Sequence, residues 1–243
     1  MNLAIDVGNT RVKVALFEEN NIQFQTVFDK EIILEKLEKI SKKNKVYHAI
    51  ISSVANISEN DLFEIEKMFV LIQLNHEIEL PFNNKYATPK TLGVDRIALA
   101  AAAINNFPNE NVLVIDAGTC ITYDYISEKK KYYGGAISPG IEMRYKALHT
   151  FTDKLPLLKT KYPKDIIGNN TENSIHSGVV HGILAEIKGV IDQYKQQNKK
   201  LTVVLTGGDT YFLAKRLKNG IFANPNFLLE GLNTILNFNI KND

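Results

Sequence analysis

Tryptophan is absent and cysteine occurs once, at Cys120. One thiol cannot close an internal disulfide, and no zinc centre can rest on cysteine pairs, so the chain does not read as a stapled secreted scaffold. An excess of one charge is also missing. The 29 basic residues face 27 acidic ones, net +2, and a chain so balanced is not an obvious nucleic-acid binder. The longest uncharged apolar run, Ile97–Ile104, is far too short to cross a bilayer. The opening MNLAIDVGNT has no basic leader and reaches Asp6 almost at once, which does not read as a signal peptide. These absences point to a cytoplasmic protein with no membrane contact. Neither G-x-x-x-x-G-K-[ST] nor G-x-G-x-x-G occurs. His176 and His181 are five apart and do not share a helix face as metal ligands would. No local pattern suggests a Ser, His, Asp set.

What is present is a globular composition. The 243 residues are 44% apolar and 23% charged, enough to build a sizeable core and exclude disorder as the main state. That length fits one large domain or two small ones. A repeat favours two. Leu3–Thr10 runs as an apolar strand, an Asp, and a Gly turn, followed by alternating Val12, Val14 and Leu16. Val112–Thr119 does the same, followed by Ile121, Tyr123 and Tyr125. Asp6 and Asp116 lie 110 residues apart, close to half the chain, as a duplicated unit requires. The periodicity predicts further strands over 22–28, 46–52, 69–74, 132–138 and 202–206. It predicts helices over 31–41, 59–67, 95–106, 172–196, 210–219 and 226–238. Three hairpin-linked strands followed by alternating helix and strand, twice, imply an α/β protein of two domains with mixed sheets. The boundary falls at the polar cluster Pro108–Asn111, giving domains 1–110 and 111–243, with the last helix free to pack back on the first.

Several segments could carry chemistry, and each has a plain structural alternative. In Asp6–Lys13, Gly8 and Asn9 suit a tight hairpin and nothing more. Yet Asp6 ends a buried strand, where a carboxylate is costly without a partner. The turn N–H groups, the Thr10 hydroxyl and Lys13 could gather around a phosphate. Arg11 shares a strand face with Lys13. Asp116-Ala-Gly118-Thr119 repeats the pattern, and two strand-end carboxylates suit a cation with a polyphosphate. Gly207-Gly208-Asp209 opens a helix after a buried strand, either as an anion-facing turn or as a simple cap. The segment Tyr86–Arg96 puts Asp95 and one of only four arginines at the start of an Ala-rich helix. It reads as a base beside an anion clamp, or as a helix cap. Gly134–Gly140 is a glycine-rich strand exit, and Asn170 reads as the cap of the long helix.

Taken in order, these segments resemble the type III pantothenate kinases, within the acetate and sugar kinase, Hsp70 and actin superfold. The matching elements are D-x-G-N-T-x-x-K at 6–13, Y-x-x-P-x-x-L-G-x-D-R at 86–96 and D-x-G-T-x-x-T-x-D at 116–124. G-G-x-I-x-P-G at 134–140, N-T-x-x-S-I-x-x-G at 170–178 and G-G-D at 207–209 complete them. The G-x-D-R and N-T-x-x-S-I elements are the specific ones; the Asp-x-Gly turns belong to the superfold. Cys120 and Thr210 stand where alanine is usual. The resemblance implies two tandem ribonuclease-H-like domains with ATP between them. It implies phosphorylation of pantothenate to 4'-phosphopantothenate, the first step of coenzyme A biosynthesis. Asp6, Val7, Gly8, Asn9, Thr10, Arg11, Val12 and Lys13 would then hold the ATP phosphates, with Thr119. Asp95 would be the general base. Tyr86, Gly93, Val94, Asp95, Arg96 and Thr171 would bind pantothenate. Asp116 would hold a monovalent cation, K+ or NH4+, beside Mg2+. A homodimer is implied as well. Two other readings remain: a non-catalytic transcriptional accessory relative, or another small-molecule kinase of the same superfold.

Overall fold

A computed structural model describes residues 1–8, 11–53, 57–198, 200–217 and 220–242, without the side chain of Asn242. Asn9 and Thr10 lie outside the described residues, as do the last two positions of the helix expected over 210–219. The chain forms two compact units. One comprises Met1–Asn109, Lys129–Tyr133 and the chain from Asn226 on; the other comprises Glu110–Glu128 and Gly134–Pro225.

In the first unit, β1 (Asn2–Val7), β2 (Arg11–Glu18) and β3 (Asn21–Asp29) form an antiparallel meander. Then come α1 (Ile33–Lys43), β4 (His48–Ser53), α2 (Glu59–Met68) and β5 (Val70–Gln73). The sheet order is β3-β2-β1-β4-β5, with β4 parallel to both β1 and β5. Alternation along β1 sends Leu3, Ile5 and Val7 into a core with Ile33, Leu37 and Ile40 of α1. Those three α1 residues recur at i, i+4 and i+7, one helical stripe. The other sheet face meets α3 (Val94–Asn106) and α7 (Phe227–Asn242), which pack on β1 and β4. These two helices approach closely because their contact is made of small residues. A side chain at Gly231 would begin 1.8 Å from the Ala98 carbonyl oxygen, and the facing run Ala98–Ala103 is fully buried.

The second unit repeats the plan. Strands β7 (Asn111–Ala117), β8 (Cys120–Ser127) and β9 (Lys131–Pro139) precede α4 (Ile141–Thr150), α5 (Thr171–Gln197), β10 (Leu201–Thr206), α6 (Thr210–Ala214) and β11 (Ile221–Ala223). The order β11-β10-β7-β8-β9 mirrors the first sheet, with β10 parallel to β7 and β11 and β8 antiparallel to β7. The first residues of β9 belong to the first unit, where a two-residue β6 (Asn83–Asn84) pairs with them. Ile175, Val179, Ile183, Ile187 and Ile191 of α5 form the buried stripe that the four-residue spacing predicts. Asn170 caps this helix, its side chain accepting from the Asn173 N–H at 2.9 Å. The duplicated α/β architecture inferred from the sequence is therefore present. Among the described residues, α4, β6 and β11 were not foreseen. The short α6 ends at Ala214, before the expected terminus.

Candidate active site

Asp6 is the next-to-last residue of β1. Its register partners are Lys13 on β2 and Ser52 on β4. Side chains paired this way project to one face, so Lys13, Asp6 and Ser52 form a row across the sheet. Burial pushes the Asp6 carboxyl up to about 6; nearby Lys13 lowers it and Asp95 raises it further. A carboxylate, an ammonium and a second carboxylate thus share one neighbourhood. After β1, the Gly8 N–H donates to the Arg11 carbonyl of β2 at 3.0 Å. The rest of the segment divides by alternation. Val7 and Val12 are fully buried in the core. Arg11 is exposed and pairs loosely with Asp29 on β3 at 3.9 Å, a contact of little energetic weight.

Asp95 is the second residue of α3, after Gly93 at the cap and Val94. Its Oδ1 accepts from the Arg96 N–H at 2.8 Å and sits where a Cβ on residue 93 would be only 2.3 Å away. Glycine at 93 is what lets the carboxylate fold back over the helix start, where the backbone dipoles favour negative charge. Before the cap, His76 Nε2 and the Leu92 carbonyl oxygen are 2.8 Å apart, which braces the turn. Arg96 is buried, with its guanidinium 5.6 Å from the Tyr86 ring centre. Tyr86 is held by Asn84, whose Oδ1 accepts from its N–H at 3.0 Å, and by the ring of Tyr132 at 6.2 Å. Tyr86, Gly93, Val94, Asp95 and Arg96 therefore lie together in the first unit, with Asp95 close enough to act on Asp6.

In the second unit Asp116 occupies the place on β7 that Asp6 has on β1, in register with Thr122 and Thr206. Gly207 has φ +94°, and a Cβ there would lie 2.3 Å from Asp116 Oδ1 and 2.4 Å from the Ala117 carbonyl oxygen. Both conformation and space exclude any side chain. The Asp116 carboxylate offers the kind of oxygen that a hard cation takes. The Asp209 N–H donates to the Ala117 carbonyl at 2.9 Å and ties the glycine turn to the strand end. Beside it lies a cavity of 360 Å³ lined by Thr119, Glu142, Lys146, Gly208 and Asp209, among others. Burial and then Glu142 push the Asp209 carboxyl up to about 6. Thr171, the first residue of α5, lines a different cavity, of 740 Å³, with Arg144, Leu148, Ser174 and Val179. Arg144 is fixed by Ser138 at 2.9 Å and by Glu186, which also accepts from the Tyr123 hydroxyl at 2.9 Å.

Sequence reasoning missed Glu142 and Lys146 because they sit on α4. It missed Ser52 because a serine in an apolar strand carries no signal of its own. Among the described residues, no group of three His, Cys, Asp or Glu side chains could enclose a metal ion. A divalent cation here would take most of its ligands from a substrate and water, as magnesium commonly does with phosphates.

Two mixed α/β sheets of matching topology, each ending its first strand in Asp-x-Gly, define a protein of the actin-like ATPase superfold. The solved structures agree at the level of fold. A Campylobacter jejuni protein described as a Baf family transcriptional activator matches with a TM-score of 0.65 at 24% identity, covering 98% of this chain and 99% of that one. A glucokinase from an Antarctic psychrotroph matches with a TM-score of 0.55 at 13% identity, covering 98% of each chain. The family model for type III pantothenate kinase matches residues 2–193. The type III pantothenate kinase of Christiangramia forsetii is 51% identical over 98% of this chain and 99% of its own length. That of Flavobacterium johnsoniae is 49% identical over the whole of both. The chain belongs to the type III pantothenate kinase family.

Proposed function

We propose that this protein transfers the γ-phosphoryl group of ATP to the terminal hydroxyl of pantothenate, with Asp95 as general base. The observation that carries this reading is the meeting of Asp95 with Asp6 and Lys13 at one end of the first sheet, beside Arg96 and Tyr86. Phosphoryl transfer asks for positioning and charge neutralisation rather than covalent catalysis. Lys13 supplies positive charge beside the triphosphate, and the Gly8 turn brings backbone within reach of it. Asn9, Thr10 and Thr119 are assigned to the same phosphates by their motif positions. Asp95 accepts the proton as the pantothenate oxygen bonds to the γ-phosphorus and the bond to the β,γ-bridging oxygen breaks, releasing ADP. Arg96 is a planar fork suited to the pantothenate carboxylate, with Tyr86, Gly93 and Val94 beside it, and Thr171 is assigned to the same substrate by its motif position.

Magnesium, taking most of its ligands from the ATP phosphates, would supply further charge neutralisation. Asp116 is the carboxylate assigned to a monovalent cation, K+ or NH4+. The same reading makes the protein a cytoplasmic homodimer. The test is ADP formation by purified protein with magnesium-ATP and pantothenate, in potassium and in sodium, with hexoses, glycerol and acetate as control acceptors. We expect turnover that needs pantothenate and potassium and falls at least about a hundredfold in Asp95→Asn. ATP binding without turnover would overturn the reading in favour of a regulatory relative, and turnover with a sugar alone would replace the substrate.

A further inference from the structure

Ser52 is unusual among the polar residues near Asp6. It is fully buried, and its hydroxyl has no hydrogen-bond partner among the described residues. A buried hydroxyl left unpaired is destabilising, roughly as a lost hydrogen bond is, and needs an explanation. The explanation is in the register. Ser52 lies directly beside Asp6 on the neighbouring parallel strand, on the sheet face that meets α3 and α7. Strands are spaced about 4.8 Å apart, so a single rotation of the Ser52 side chain brings its hydroxyl toward the Asp6 carboxylate. On the other side Asp6 has Lys13, the other polar member of the row. Asp95 also acts on it, and repels it.

We propose that Ser52 is a positioning residue for Asp6. Its hydroxyl donates to the ionised carboxylate when magnesium-ATP is bound, fixing the Asp6 side chain in the row between Ser52 and Lys13. The inference rests on the phosphoryl-transfer reading above. It gives the serine a role that the resting state leaves unfilled, since a hydroxyl gains most from a charged acceptor in a site closed to water.

The experiment compares Ser52→Ala and the near-isosteric Ser52→Cys with wild type, measuring kcat, both KM values, magnesium-ATP affinity and Tm. If the serine is merely structural, removing an unpaired buried hydroxyl leaves Tm unchanged or raised and kcat untouched. The positioning role predicts the same Tm behaviour with kcat lowered roughly tenfold or more, the pantothenate KM unchanged, and the thiol variant more active than the alanine one. Wild-type kcat in both variants would overturn it. Wild type that fails to turn over pantothenate instead sinks the kinase reading. Ser52 is then judged on magnesium-ATP affinity alone, where weaker binding by Ser52→Ala supports the role and equal binding removes it.

Discussion

At the scale of single residues, the site is defined by charges held where water is scarce. Asp6 is the clearest case. Its carboxyl titrates near 3.8 when unfolded and at about 6 in the folded chain, so folding favours the protonated form. The stability this provides is complete below 3.8 and is lost as pH rises through 6. An uncharged Asn at position 6 mimics the protonated acid at every pH. Asp6→Asn is therefore expected to unfold at higher denaturant than wild type at pH 8, by about 2–3 kcal/mol for the shift quoted. The two should converge at pH 4, measured without nucleotide or magnesium. The same variant should lose phosphoryl transfer, so that a stability gain coincides with a functional loss. Arg96→Lys makes the converse point. An ammonium keeps the charge but not the fork, so the pantothenate KM should rise about tenfold with kcat little changed. Asp6, Lys13, Asp95 and Arg96 were all legible in the sequence, because an acid at a strand end or a helix start is conspicuous. Val7 and Val12 were swept in with their motif, although alternation along the strands puts them in the core. Ser52 was not legible at all, since its significance lies in its neighbour on another strand.

At the scale of elements, periodicity was a good guide wherever one face is wholly buried. The α5 stripe of four isoleucines and one valine and the alternation of β1, β2, β7 and β8 were readable for that reason. Helix α4 was not, because it buries only Ile141 and Tyr145 and follows a Pro-Gly pair that reads as a strand exit. Its remaining faces line two cavities instead of a core. Strand β11 is three residues of mostly exposed chain, too short for any pattern. Strand order and the parallel pairing of β4 and β10 are non-local and leave no trace in spacing. The contact of α3 with α7 depends on glycine at 231, and this gives a paired prediction. Gly231→Ala drives a Cβ into backbone that cannot yield, so the helices must part. A loss of about 2–4 kcal/mol is expected. Gly189→Ala on α5 meets nothing within 4 Å at an exposed position and should stabilise by roughly 0.5–1 kcal/mol. Denaturant midpoints for the two variants should move in opposite directions. A Gly231→Ala protein as stable as wild type would mean the two helices are not tightly apposed.

At the scale of the whole molecule, the question is what covers the second unit's exposed apolar side chains. Phe151 is 84% exposed, Ile166 72% and Ile167 82%, all on the segment leading from α4 to α5. Large apolar side chains left in water along one segment mark an interaction surface more often than chance exposure. The candidate substrate residue Thr171 follows Ile167 by four positions and lines the 740 Å³ cavity, whose wall includes Leu148, Leu155 and Val179. If the homodimer reading holds and two copies associate through this segment, the interface is isologous and one substitution acts twice. Ile167→Glu places a charge on a side chain that folding leaves exposed, so the monomer should fold unharmed. Buried in a two-fold interface, each of the two carboxylates would be desolvated without a partner, which is strongly unfavourable. Sedimentation is therefore expected to show a dimer for wild type at micromolar concentration and a monomer for Ile167→Glu, with matching circular dichroism. The pantothenate KM of the variant carries the next step. If it rises together with the loss of the dimer, the segment before α5 serves the substrate only when a second copy holds it in place. A dimeric variant would move the interface to another surface.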